Sequence, residues 1–200
     1  MPNARVIKFD GHGGPSVLVP REVEVPDPPK GHVRIKVKAV GLNRAEVNFR
    51  NGGSYTPQFP STLGFEAAGL IDAVGEGVNG FSCDERVAVL PGLNMETYGT
   101  YAELLNYPAE MVVKIPDGQS FVEAAATWMQ YLTAYALIDP AGVQPSDEVL
   151  ITAASSSVGM AAIQIANAKG AVPIALTSQE EKGVELQRHG ASHVFVTGQQ

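Results

Sequence analysis

The stretch that most limits the fold is Val149-Leu-Ile-Thr-Ala-Ala-Ser-Ser-Ser-Val-Gly-Met-Ala-Ala-Ile-Gln-Ile-Ala-Asn-Ala-Lys-Gly170. A short apolar run breaks into small residues and then restarts with helical spacing. Val149 to Ile151 has the character of a strand covered on both faces. Ala162, Ile163 and Ala166 fall on one face of a helix that Gly170 ends. Small residues between a strand and a helix let a ligand come close to the backbone. A pyrophosphate is the common occupant of such a place, because free N–H groups and the helix dipole favour negative charge there.

The chain beyond Gly170 repeats this form. A strand is predicted over 172–176, a helix over 180–189 and a strand over 193–196. Strands alternating with helices give βαβ units and a parallel sheet. Pro173 is awkward inside an interior strand but tolerable near its start. Upstream, Ser120 and Glu123 have the spacing of a capping box before a helical segment, Ala124 to Leu137.

The first half is different in kind. Val33, Ile35 and Val37 alternate with Arg34, Lys36 and Lys38, the period of a half-exposed strand. Residues 6–9, 17–19, 70–74, 86–90 and 111–115 are further predicted strands. Gly, Pro, Asn and Asp clusters separate them, such as 26–31 and 75–80. This pattern predicts a compact antiparallel barrel with irregular loops. The change near residue 120 divides the chain into domains at 1–122 and 123–200.

Aligned to the dinucleotide fingerprint, the key positions are Ala153, Ser156 and Gly159, and only the last is glycine. The motif alone fits any tight strand–helix turn; the strand before it and the helix and strand after it favour a phosphate loop. Ser155, Ser156, Ser157, Val158 and Gly159 are the expected phosphate contacts, with hydroxyl donors where glycine offers only backbone. A carboxylate about 20 residues on would hold the ribose 2′-OH of NAD. Here the strand ends in Thr177-Ser178. No carboxylate stands at that point, which suits a 2′-phosphate within reach of Lys182, although Glu180 and Glu181 oppose it. Charge matching therefore favours NADP(H). Ser178 is equally placed to cap the next helix with Glu181 as its partner.

Charge and composition narrow the partners. The net charge of −7 and the lack of a basic stripe argue against nucleic acid. No apolar run approaches the ~20 residues of a membrane span. No secretory signal is expected at Met1 to Asp10. The one cysteine, Cys83, allows no internal disulfide and no thiolate zinc site. A cytoplasmic protein acting on a small-molecule substrate is the expectation.

Several segments together carry a resemblance: Gly41-Leu-Asn-Arg-Ala-Glu46, Leu63-Gly-Phe-Glu-Ala-Ala-Gly69, Gly99-Thr-Tyr-Ala-Glu103, Trp128-Met-Gln-Tyr-Leu-Thr-Ala-Tyr135 and Ala153 to Gly159. The chain resembles the medium-chain dehydrogenase/reductase superfamily, most closely its zinc-independent quinone oxidoreductase branch. The resemblance implies an α/β protein: a GroES-like β-barrel catalytic domain, then the first half of a Rossmann dinucleotide-binding domain, with the cofactor in the cleft between them.

It also implies where the chemistry lies. Zinc-dependent relatives have a metal-ligating histidine where this chain has Phe65, and a cysteine where it has Asn43. Phenylalanine cannot ligate zinc and an asparagine amide is a poor ligand, so no metal is expected. Glu66 is then expected to serve as a structural hydrogen-bond partner. Without a metal Lewis acid, alcohol oxidation loses its alkoxide stabiliser. Hydride delivery to a quinone or an α,β-unsaturated carbonyl needs hydrogen-bond donors at the oxygen that gains charge. The resemblance places Asn43 near the nicotinamide and Tyr55 at the mouth of the substrate site, and makes Thr133 a cofactor contact. The alternatives are a loop-shaping asparagine, a surface aromatic and a helix-packing threonine. Trp128 is read as core.

Members of this superfamily are longer. The chain stops after the third strand of an order that runs 3-2-1-4-5-6. The segments expected to hold the nicotinamide half, to return to the catalytic domain and to form the parent protein's homodimer are not in it. Strand 149–152 is then expected to be an open apolar edge. The competing readings are an alcohol dehydrogenase-like enzyme and a truncated, non-catalytic NADPH-binding or interaction chain.

Overall fold

The computed structural model describes residues 1–53 and 56–197. It divides into two compact units, Met1–Trp128 and Met129–Gln200.

The first unit begins with an antiparallel ribbon, β1 (Asn3–Lys8) and β2 (Val19–Glu24). The strand predicted over 17–19 starts later. Pro15–Val17 form a 3₁₀ turn, with Pro15 at its start, and pairing begins at Val19. Pro20 is tolerated because β2 pairs on one side only.

Next come β3 (His32–Val40), α1 (Arg44–Arg50), β4 (Ala67–Val74), β5 (Arg86–Val89), α2 (Met95–Tyr98), β6 (Leu104–Pro108) and β7 (Val112–Lys114). The five strands form an antiparallel sheet in the order β6-β3-β4-β5-β7. Its core gathers Val33, Ile35, Ile71, Val87, Val89 and Tyr107, all nearly sealed from solvent. The alternation expected along β3 fails at Arg34, which is buried. Its guanidinium is paired with Asp72 at 2.6 Å and Asp27 at 3.3 Å, and a register shift after Arg34 turns the strand.

The predicted capping box is present: Ser120 Oγ accepts from the Glu123 N–H, and Glu123 accepts from the Ser120 N–H at 2.8 Å. The helix it starts is short. α3 (Phe121–Ala125) stops, and α4 (Trp128–Ile138) begins anew after residues 126 and 127. Thr127 turns its hydroxyl back to the Glu123 carbonyl at 2.6 Å, where a continuous helix would have placed a backbone bond. Trp128, partly buried, packs against the core cluster of Ala68, Ala88, Ile115, Ala124 and Ala125.

The second unit holds β8 (Glu148–Ile151), α5 (Ser157–Ala168), β9 (Val172–Thr177), α6 (Gly183–Arg188) and β10 (His193–Val196). The three strands are parallel in the order β10-β9-β8, the first half of a doubly wound sheet. Pro173 is the second residue of the central strand, and its carbonyl accepts from Ser192. Ile163 and Ala166 of α5 are fully buried, as their spacing requires. Gly170 ends the helix at φ +76°. Among the described residues β8 pairs on one side only, and Leu150 is 61% exposed.

Candidate functional site

The junction between β8 and α5 is built for close approach. Ala153 takes φ +48°, a conformation that side chains rarely adopt. It turns the chain so that the Ala154 N–H reaches the Leu176 carbonyl of β9 at 3.0 Å. Ser156 caps α5 by accepting the Gly159 N–H at 3.1 Å. A Cβ on Gly159 would lie 2.6 Å from Ala154 Cα and carbonyl oxygen. Glycine there lets the first turn of α5 lie against the loop. The backbone N–H groups of Ser157 and Val158 have no partner among the described residues. They lie at the positive end of a twelve-residue helix.

The other sequence-predicted cofactor residues belong to the same unit. Ser155 and Lys182 line one concavity, together with Met160, Glu185, Leu186 and His189. Lys182 is exposed, and Glu185 is held by His189 at 3.0 Å. Thr177 is only 3% exposed, and its hydroxyl accepts from the Gln179 N–H at 3.3 Å, so it shapes the turn after β9. That corrects one expectation. Ser178 does not cap the next helix: a 3₁₀ turn, Glu180–Lys182, begins after Gln179 with no side-chain cap, and it leads into α6. Ser178 is left exposed. Thr133, half-buried in α4, donates its hydroxyl hydrogen to the Met129 carbonyl at 2.5 Å. Only its oxygen lone pairs remain for a ligand.

In the first unit, Asn43 is the N-cap of α1. Its backbone N–H donates to Glu46 Oε2 at 2.8 Å, and its Nδ2 donates to Glu66 Oε2 at 3.0 Å. Glu66 is 2% exposed and takes the hydrogen-bonding part expected of it. Phe65 packs against the cluster of Phe9, Phe49, Leu63 and Met95. Among the described residues, no three His, Cys, Asp or Glu side chains gather to hold a metal. Tyr55 lies outside the described residues.

Sequence reasoning passed over Glu46 and Tyr101. Glu46 is 2% exposed and accepts from the Tyr101 hydroxyl at 2.6 Å and from the Phe65 N–H at 2.9 Å. Burial, with this bond to a carboxylate, pushes Tyr101 far above the usual phenol range. Both residues stood inside the segments that carried the resemblance, but nothing local marked a glutamate on a helix as buried.

Comparison with known proteins fits this geometry. Residues 29–117 match the alcohol dehydrogenase GroES-like domain. The chain is 36% identical over 189 residues to a quinone oxidoreductase of Pseudomonas aeruginosa, covering 94% of this chain and 57% of that protein. It is 38% identical over 194 residues to human quinone oxidoreductase, covering 96% and 58%. Over nearly its whole length the chain is similar to quinone oxidoreductases of the medium-chain dehydrogenase/reductase type, and residues 29–117 carry their GroES-like domain. The Escherichia coli quinone oxidoreductase solved with NADPH superposes with a TM-score of 0.87 at 31% identity, over 98% of this chain and 59% of that one. The chain thus spans somewhat under three fifths of the curated relatives it matches. Their GroES-like domain and the start of their Rossmann sheet are the parts it shares.

Proposed function

We propose that this chain serves an NADPH-dependent oxidoreductase that delivers hydride to a quinone or an α,β-unsaturated carbonyl without zinc. Residues 1–122 are the catalytic domain and 123–200 the cofactor-binding domain. The observation that carries the reading is the β8–α5 junction, with two N–H groups unpartnered among the described residues beside a glycine whose added Cβ would meet backbone at 2.6 Å.

In this reading the Ser157 and Val158 N–H groups hold the pyrophosphate, with hydroxyls of Ser155, Ser156 and Ser157 beside them. Lys182, across the concavity from Ser155, meets the 2′-phosphate, with Ser178 and Thr177 flanking it. Thr133 offers an acceptor oxygen. When bound, NADPH supplies the hydride. Asn43 offers an N–H to the substrate oxygen that gains negative charge, and Tyr55 is its proposed companion. No Lewis acid is called for, because the carbon that accepts hydride is already electron-poor. Phe65 and Asn43, where zinc-dependent relatives carry ligands, support the zinc-free reading. The parent assembly is proposed to be a homodimer. The lone Cys83 suits a reducing cytoplasm.

The test is reduction of a panel of quinones and enones by NADPH, with and without a chelator. Turnover that survives chelation supports the reading. Alcohol oxidation restored by added zinc supports the alcohol dehydrogenase-like alternative. Cofactor binding without turnover on any substrate leaves the NADPH-binding module.

A further inference from the structure

Three stretches well separated in sequence meet at one buried carboxylate. Glu46 Oε2 accepts the Asn43 N–H and the Tyr101 hydroxyl, and Oε1 accepts the Phe65 N–H. A second buried carboxylate, Glu66, adjoins them and takes the Asn43 side-chain amide. The strand entry is pinned to the same place. The Gly41 N–H and the Thr100 hydroxyl both donate to the Glu66 carbonyl, at 3.1 and 3.0 Å. A Cβ on Gly41 would lie 2.3 Å from the Ala125 carbonyl oxygen and 2.7 Å from Glu66 Oε2, so glycine lets the loop before Asn43 pass between them.

We infer that Glu46 and Glu66 are positioning residues that hold the Asn43 amide in one orientation, leaving a single N–H to offer. The inference rests on the reading of Asn43 as donor to the reduced oxygen. Asn43 Nδ2 donates to Glu66 Oε2 at 3.0 Å, so the end of the amide that faces Glu66 is its NH₂. The flipped amide would set Oδ1 against a carboxylate oxygen. With Nδ2 fixed there, Asn43 and Glu46 pair at the start of α1, where the Glu46 N–H donates to the Asn43 carbonyl at 3.2 Å. One N–H is committed to Glu66, and the other is the remaining donor. Glu46 fixes the backbone from which this side chain projects. Glutamine at 46 is no substitute: three donors meet its two oxygens, and an NH₂ there would confront one of them.

Side-chain amide spectra of the ¹⁵N-labelled 200-residue chain test this directly, with Asn43→Ala supplying the assignment. Glu66→Ala is expected to speed exchange of the Asn43 NH₂ protons with water by about tenfold, the scale of one hydrogen bond to a charged group. Glu66→Gln keeps an acceptor oxygen and is expected to restore most of the protection with shifted resonances. Asn43 signals unchanged in Glu66→Ala overturn the inference. Should that variant not fold, unchanged signals in Glu66→Gln overturn it. Turnover then separates the two claims. Glu66→Ala should lower kcat for quinone reduction with KM unaltered. If the spectra behave as expected but Asn43→Ala reduces quinone as fast as wild type, the positioning stands and the donor reading falls.

Discussion

At the scale of single residues, the strongest constraints are places where one side chain is the largest that fits. Gly159 is one: Gly159→Val would force its side chain into the Ala154 backbone. We expect a loss of about 2 kcal/mol or more in stability, read from denaturant midpoints, together with loss of cofactor binding. Glu46 is another. Glu46→Leu strands two backbone N–H groups and the Tyr101 hydroxyl without an acceptor. A cost of about 3–5 kcal/mol is expected by the same measurement, and a cost below about 1 kcal/mol would contradict the network. Gly159 was legible from the sequence because its spacing from a strand and a helix is local. Glu46 was not. Its partners lie 19 and 55 residues away, and its burial comes from their convergence. Asn43 was legible only as a residue type at a motif position; which of its atoms remain for a ligand came from Glu66.

At the scale of elements, period carried most of the reading. The run of strands and helices from residue 148 onward was legible because each strand is apolar and each boundary is marked by glycine, proline or serine. The first half was read less fully. α1 begins at an asparagine cap, but Val47 and Phe49 do not show helical spacing, since the helix buries little besides Glu46 and Phe49. β6 was missed because Leu104-Leu-Asn-Tyr-Pro108 alternates only in its burial, and its tyrosine points inward to donate to the Leu90 carbonyl at 3.0 Å. The helical segment after Ser120 reads as continuous because nothing in its composition announces Thr127 as a break. The edge of β8 carries its own prediction. Leu150 is exposed on a strand that, among the described residues, pairs on one side only. Leu150→Lys should lower self-association of the chain, measured by light scattering across concentration. Equal scattering from both proteins would show that the edge is not the sticky element.

For the whole molecule, pH dependence arises from groups spread through both units. Hydrogen bonds from Arg5 hold Glu103 below the usual carboxylate range, and the bond from Lys169 does the same for Asp139. Depressed carboxylates contribute stability that is present above about pH 4 and fades as pH falls through their folded values. Tyr101 and Tyr107 act at the other end. Burial raises both, Tyr107 to about 12. Their contribution is whole below about pH 10 and is lost as pH rises through the folded values. Tyrosinate absorbance should show these two ionising late, together with unfolding; early ionisation of both would contradict their burial. The function proposed for the chain turns on whether the β8–α5 junction receives a dinucleotide phosphate. A fluorescence titration of the folded chain with NADPH and with NADH addresses this without intermediaries. We expect saturable NADPH binding, abolished by Gly159→Val and weakened roughly tenfold by Lys182→Ala, with NADH little affected by the lysine change. Absence of saturable binding by a chain shown to be folded, or binding indifferent to Gly159→Val, would contradict the phosphate-loop reading.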